Sequence, residues 1–336
     1  MKNIWKGKYG PLLIAEIGAN HEGSFSYAKK LLKKAFLSDV DAIKFQIYRG
    51  STLCNRKLIP NTYNRMKSFE LTTQQHIYLA DQCRERGFLY SASVWDTADI
   101  NLIQNKIDFF KIGSGDLTSY HHIKEICKYK KPILISTGLA NLKEIKNTLN
   151  FIKSQSYFYS KKENIAVMQC TSSYPTKISD INLGLIELIK KLGHTVGYSH
   201  HNKNNYPLEL AHFLGAKVLE FHFTDNRTNR EFRDHEISLT YSLVKKLINK
   251  IKLLNLIKGD MNKKIALNSE LLNKVNLRRA LYLNKNKKKN SIIHETDLVS
   301  LRPNKGICAS KYYFVLNKKA KRDLKKFEIL SLKDFK

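Results

Sequence analysis

Short apolar runs alternate with amphipathic segments, without interruption, from near the start of the chain to about residue 255. The first run is PLLIAEIG at 11–18, followed by SFSYAKKLLKKAFLS with apolar residues at helical spacing and Ser24 placed to cap it. DAIKFQIY at 41–48, FLYSASVW at 88–95, DFFKIGSG at 108–115 and PILISTG at 132–138 continue the series, each with a helix-like stretch behind it. IAVMQCTSS at 165–173, TVGYSHH at 195–201 and KVLEFHFT at 217–224 complete eight runs, and the last helical stretch is SLTYSLVKKLINKIKLL at 238–254. Eight strands each followed by a helix close a (β/α)8 barrel of the TIM type. An open doubly wound sheet would carry the same alternation, but no GxGxxG follows the first run.

Barrels of this kind carry their chemistry at the carboxyl ends of the strands. Every predicted end here is polar in a particular way. Glu16 closes the first strand; Lys44 and Gln46, two apart, share a face of the second. Ser93, then Lys111 with Ser114, then Ser136 with Thr137, then Thr171 with Ser172 follow on the third to sixth. Ser199 and His201 end the seventh, and Glu220 and His222 share a face of the eighth. A pair of neutral imidazoles on one rim can hold a divalent metal and leave positions open, although hydrogen-bonded histidines at strand ends would read the same way. Two inward lysines among hydroxyls make an anion site, since cations in a barrel mouth are costly to leave unpaired. Glu16 reads as the only carboxylate placed to move a proton.

The formal charge of +30 admits nucleic-acid or membrane-surface binding, but the 59 Lys and Arg are spread along the whole chain and the basic runs lack interleaved aromatics. Solvated surface is the better reading, and nucleic acid is not expected as a partner. Five cysteines without CxxC spacing suggest neither a disulfide framework nor a structural zinc site. With no apolar signal core and no spanning run, a cytoplasmic location and no membrane partner are expected. The rhythm breaks after residue 255, which sets a barrel domain at 1–255, a basic linker at 256–280, and a small β-rich domain at 281–336.

AEIGANHEGS at 15–24, AIKFQ at 42–46, FKIGSGD at 110–116, ILISTG at 133–138, CTSSYPT at 170–176, VGYSHH at 196–201 and VLEFHFT at 218–224 together resemble the sialic acid synthase family. SLRPNKGI at 300–307 resembles the antifreeze-like (SAF) domain that such synthases carry. The resemblance implies condensation of phosphoenolpyruvate with an open-chain N-acyl hexosamine, giving a nine-carbon 2-keto-3-deoxy sugar acid and phosphate. It implies manganese or magnesium on His201 and His222, with Glu16 as base or water-orienting group. Lys44, Ser93, Lys111, Ser114, Ser136, Ser172 and Ser199 would hold phosphoenolpyruvate, and Gln46, Asp116, Tyr174 and Asp234 would face the sugar. Arg302 would reach the N-acyl group from the small domain of a partner copy, in a domain-swapped homodimer. A related phosphoenolpyruvate-dependent synthase for another or a phosphorylated aldose, and an inactive basic protein binding nucleic acid or polysaccharide, are the alternatives. Ser172 stands where the family often has Asn, Asp116 for a frequent Glu, and His200 for an Asp, as a competing ligand or a neighbour of the metal residues. REFRDHEISL at 230–239 replaces a Gly-Pro-Asp-His segment, adding Phe232 and Arg233.

Overall fold

A computed structural model of the chain describes residues 3–260 and 263–336. Residues 1, 2, 261 and 262, which fall in the expected barrel and linker, lie outside the described residues. The chain forms two units, Met1–Gly259 and Asp260–Lys336.

In the first unit a two-residue arm, β1 (Lys6–Gly7), pairs antiparallel with β2 (Gly10–Gly18). Parallel pairing then runs through β3 (Ala42–Ile47), β4 (Leu89–Val94), β5 (Phe109–Ile112), β6 (Ile133–Ser136), β7 (Ile165–Cys170), β8 (Thr195–His200) and β9 (Val218–His222). β9 pairs back onto β2, so eight parallel strands close a barrel. Alternation along each strand then sorts the side chains. Leu13, Ala15 and Ile17 of β2 face the surrounding helices, whereas Leu12 and Ile14 belong to a separate interior cluster with Ala42, Phe109, Leu134, Ala166, Met168 and Val218. Continuing inward by twos from that cluster reaches Glu16, Lys44, Lys111, Ser136, Cys170, Glu220 and His222. The interior is therefore apolar toward the amino ends of the strands and polar toward their carboxyl ends. Trp5 seals the apolar end, fully buried, edge-on to Phe109 with ring centroids 5.4 Å apart, its Nε1 donating to Glu163 O at 2.6 Å.

The helices pack through stripes set by their sequence. Phe25–Leu37 buries Ala28, Leu31, Leu32 and Ala35, and Ser24 Oγ accepts from Tyr27 N at 3.2 Å as its cap. Thr73–Glu85 and Leu142–Gln155 each begin with a reciprocal capping box, from Thr72 with Gln75 and from Asn141 with Glu144. The final helix spans Tyr241–Lys258 and buries Val244, Leu247, Ile248 and Ile251 at the same i, i+3, i+4, i+7 spacing. It starts later than expected, because Leu239 is extended and bridges Phe223 in parallel before Thr240 takes the N-cap position, with a four-residue helix, Asp234–Ile237, ahead of that bridge. The expected loop after β3 holds two helices, Gly50–Leu53 and Pro60–Ser68, neither of them predicted. No described helix is long and apolar enough to cross a membrane.

In the second unit, β10 (Ala280–Leu283) and β11 (Leu298–Leu301) form an antiparallel ribbon, joined by single bridges such as Ile292 to Lys319 and Ala320 to Phe335. Leu281, Leu283, Ile293, Val315, Leu324 and Leu330 form its small core, and buried Asp297 pairs with Lys285 and Lys287 at 2.7 Å each. The segment expected as linker, 256–280, includes the end of the last barrel helix, a helix at Leu271–Leu277 and the first residue of β10.

Candidate active site

The polar end of the barrel opens into a cavity. Its walls include Glu16, Lys44, Gln46, Ser93, Lys111, Ser114, Asp116, Ser136, Ser172, Tyr174, Ser199, His201 and His222, all singled out from the sequence. Asp234 lies just outside this lining, its Oδ2 3.6 Å from His222 Nδ1. Arg302 belongs to the second unit, where it is exposed and its Nε donates to Leu277 O at 2.8 Å.

Two expectations need correction. The lysines do not stand unpaired: Lys44 Nζ pairs with Glu16 Oε2, and Lys111 Nζ pairs with Glu220 Oε1 at 2.6 Å. Nor is Glu16 the only carboxylate in the mouth, since Glu220 lines it too. The local signal for Glu220 was its position two residues before His222 on one strand face. Register brings the first pair together: Glu16 lies opposite Lys44 on β3 and opposite His222 on β9.

Four buried charges in one mouth pull each other's ionisation apart. Burial raises the Glu16 carboxyl, with Glu220 adding to the effect against the opposing pull of Lys44. Glu220 goes the other way: burial opposes its charge, but Lys111 and Lys44 outweigh burial and hold it at about 2. Burial lowers Lys111, helped by Lys44 and resisted by Glu220, whereas Glu16 and Glu220 overcome burial and raise Lys44. Gln46 Nε2 donates to Glu16 Oε1 at 3.0 Å, and Ser199 Oγ donates to Glu220 Oε1 at 3.2 Å. Among the described residues, Ser136 Oγ and Glu220 Oε2 are buried with no hydrogen-bond partner.

A second feature lies between β5, β6 and β7. Ser114 Oγ accepts from Gly138 N at 3.0 Å, and a Cβ on Gly138 would meet Ser172 Oγ at 2.4 Å and Ser114 Oγ at 2.8 Å. Only glycine leaves room for both hydroxyls where a Cβ would stand. The result is a cradle of small donors beside Lys111, suited to a tetrahedral anion.

The two histidines meet as their strand positions suggest, with ring centroids 5.4 Å apart. His201 Nδ1 faces Thr171 O at 2.9 Å; a carbonyl only accepts, so the proton sits on Nδ1 and Nε2 keeps its lone pair. His222 is held neutral, burial first and neighbouring His201 and Lys44 next pushing it well below the usual imidazole range. Burial would lower His201 too, but adjacent Cys170 raises it, and the Cys170 thiol is in turn brought down to about 7 against its burial. His222 Nδ1 makes no hydrogen bond among the described residues. A lone pair on each ring, with a carboxylate beside one of them, fits a divalent cation. Among the described residues no group of three or more His, Cys, Asp and Glu is gathered so as to hold a metal ion. His200 is no competitor: it is absent from the lining, its Nδ1 is 3.3 Å from the Tyr198 hydroxyl, and burial takes it to about 3. Tyr174 leans over His201 with centroids 4.2 Å apart, and Asp116 Oδ2 accepts from Trp95 Nε1 at 2.6 Å.

Residues 31–263 match the NeuB family. The chain is 32% identical to the N,N'-diacetyllegionaminic acid synthase of Campylobacter jejuni over 95% of this chain and 98% of that one. The pseudaminic acid synthase of the same species is 29% identical, with 96% of each chain covered. Among solved structures, the N-acetylneuraminic acid (sialic acid) synthetase of Leptospira borgpetersenii, in complex with citrate, superposes with a TM-score of 0.70 at 26% identity, covering 78% of this chain and 89% of that one. With the family match spanning most of the barrel and such relatives covering nearly the whole chain, this protein belongs to the NeuB, or sialic acid synthase, family.

Proposed function

We propose that the chain condenses phosphoenolpyruvate with the open-chain form of an N-acyl hexosamine, giving a nine-carbon 2-keto-3-deoxy sugar acid and inorganic phosphate. The observation that most supports this is the meeting, in one buried mouth, of a hydroxyl cradle, two lysines and a histidine pair. Lys44 and Lys111 supply charge, and Ser93, Ser114, Ser136, Ser172 and Ser199 directed donors, for the phosphate and carboxylate of phosphoenolpyruvate. Gln46, Asp116, Tyr174 and Asp234 face the acceptor, and Arg302 of a second copy, in a homodimer, completes its binding. His201 and His222 would hold manganese or magnesium, which when bound would polarise the aldehyde oxygen.

The methylene carbon of phosphoenolpyruvate forms the new bond to the aldehyde carbon, whose oxygen gains a proton from solvent. Water then adds to the electron-poor enol carbon, and the bond from that carbon to the phosphate oxygen breaks to leave the ketone. Glu16, its carboxyl raised by burial, takes the proton from that water. Glu220 stays ionised and holds Lys111 in its charged form beside the anion.

The test is mass spectrometry of products, with phosphate release measured, after incubation with phosphoenolpyruvate, Mn²⁺ and a panel of free and 6-phosphorylated N-acyl hexosamines. A product equal in mass to both substrates plus water less phosphoric acid is expected. Absence of phosphate release with every acceptor would remove the reading.

A further inference from the structure

Phe232 and Arg233 have no role in the account above, yet the structure builds the segment around them. Phe232 sits edge-on to Phe69 with ring centroids 5.2 Å apart. Three residues on, His235 is held at both nitrogens, Nδ1 2.7 Å from Thr224 Oγ1 and Nε2 2.9 Å from Glu22 Oε1. Between these anchors Arg233 extends over Tyr174, its guanidinium carbon 4.8 Å from the ring centroid, within cation–π range. The same tyrosine ring lies 4.2 Å from His201. Arg233 Nε is also 3.4 Å from Asp234 Oδ1, and Asp234 Oδ2 is 3.6 Å from His222 Nδ1. One side chain thus touches the neighbour of each histidine.

We infer that Arg233 is a positioning residue: it holds Tyr174 against His201 and Asp234 beside His222, and so sets the two imidazoles for the divalent cation. The inference rests on the metal reading above. Its side chain is 60% exposed, so removing it opens no cavity and its effect is directional, not one of packing. Groups that orient metal-binding histidines commonly change metal affinity by about 10–100-fold when lost.

The experiment is calorimetric titration of Mn²⁺ into the chelator-treated full-length protein, for wild type, Arg233→Gln, Arg233→Lys and Tyr174→Leu with and without Arg233→Gln. Arg233→Gln should weaken Mn²⁺ binding about tenfold without moving the thermal midpoint. Arg233→Lys keeps a cation over the ring and should recover part of that loss. In the Tyr174→Leu background the Arg233→Gln change should weaken binding less, because one of its two routes is already gone. In steady state the Michaelis constant for the acceptor should rise and that for phosphoenolpyruvate should not. Wild-type affinity in Arg233→Gln, or a lysine variant no better than the glutamine one, overturns the inference while leaving the proposed reaction standing. A wild-type protein that binds no Mn²⁺ removes the metal reading and this inference together.

Discussion

Changing Glu220 to Gln removes one charge from a buried set of two lysines and two glutamates and leaves Lys111 without its partner. The cost can be worked in two ways. A carboxyl held at about 2 instead of 4.5 contributes about 3 kcal/mol at neutral pH. Independently, deleting one member of a buried ion pair costs about 3–5 kcal/mol, because the survivor stays buried and unpaired. For a unit the size of this barrel each kcal/mol shifts the melting midpoint by about 2–4 °C, so Glu220→Gln should melt about 6–12 °C lower at pH 7. The pH dependence has a definite sign. The folded value is depressed, so the contribution is complete above 4.5 and is lost as pH falls through about 2. The gap between wild type and variant should therefore narrow steadily below pH 4.5. Urea denaturation and thermal melts at pH 7, 4 and 3 measure it. Adding Lys111→Met to Glu220→Gln should cost less than the two single changes combined. A single variant within about 1 kcal/mol of wild type at pH 7, or a gap that does not close in acid, would refute the reasoning.

Other substitutions test the mouth more directly. Glu16→Gln should lower kcat by about 10²–10⁴ while phosphoenolpyruvate still binds in equilibrium titration; a normal rate would remove Glu16 from proton transfer. Gly138→Ala forces a methyl against the Ser114 and Ser172 hydroxyls, and overpacking of about 1–2 kcal/mol should raise the Michaelis constant for phosphoenolpyruvate about tenfold, with little change for the acceptor. His222→Ala should abolish turnover and weaken Mn²⁺ binding at least about tenfold by calorimetry. Arg302→Ala should raise the acceptor Michaelis constant alone, and an unchanged value would mean this residue does not reach the sugar.

The barrel was legible because its signal is local: strand period and helix period alternate eight times, and the polar residues fall on the inward parity at each strand end. The pairing of charges across the mouth was not. Lys111 and Glu220 are 109 positions apart and on strands that do not adjoin, so nothing in either segment announces that they meet. That distance hides the partner of Lys111, although Glu220 shares a strand face with His222; Glu16 and Lys44, by contrast, lie opposite each other on adjoining strands, where only the register of the pairing shows that they meet. The helices at Gly50–Leu53 and Pro60–Ser68 were missed for a different reason: they are short and polar, and Pro60–Ser68 buries no residue, so no apolar stripe marks it. Likewise Arg233 reads as an anomaly until the loop geometry brings it over Tyr174.

Trp5 stoppers the barrel at its apolar end, and a tube closed below has one doorway. The strand-end Ser136, Ser199 and Lys111 are buried and Tyr174 is half-buried, so under the proposed reaction a molecule beside Tyr174 would sit nearer that doorway than one among the hydroxyls. Under the reaction proposed above, this layout would set a fixed order of entry, phosphoenolpyruvate ahead of the sugar.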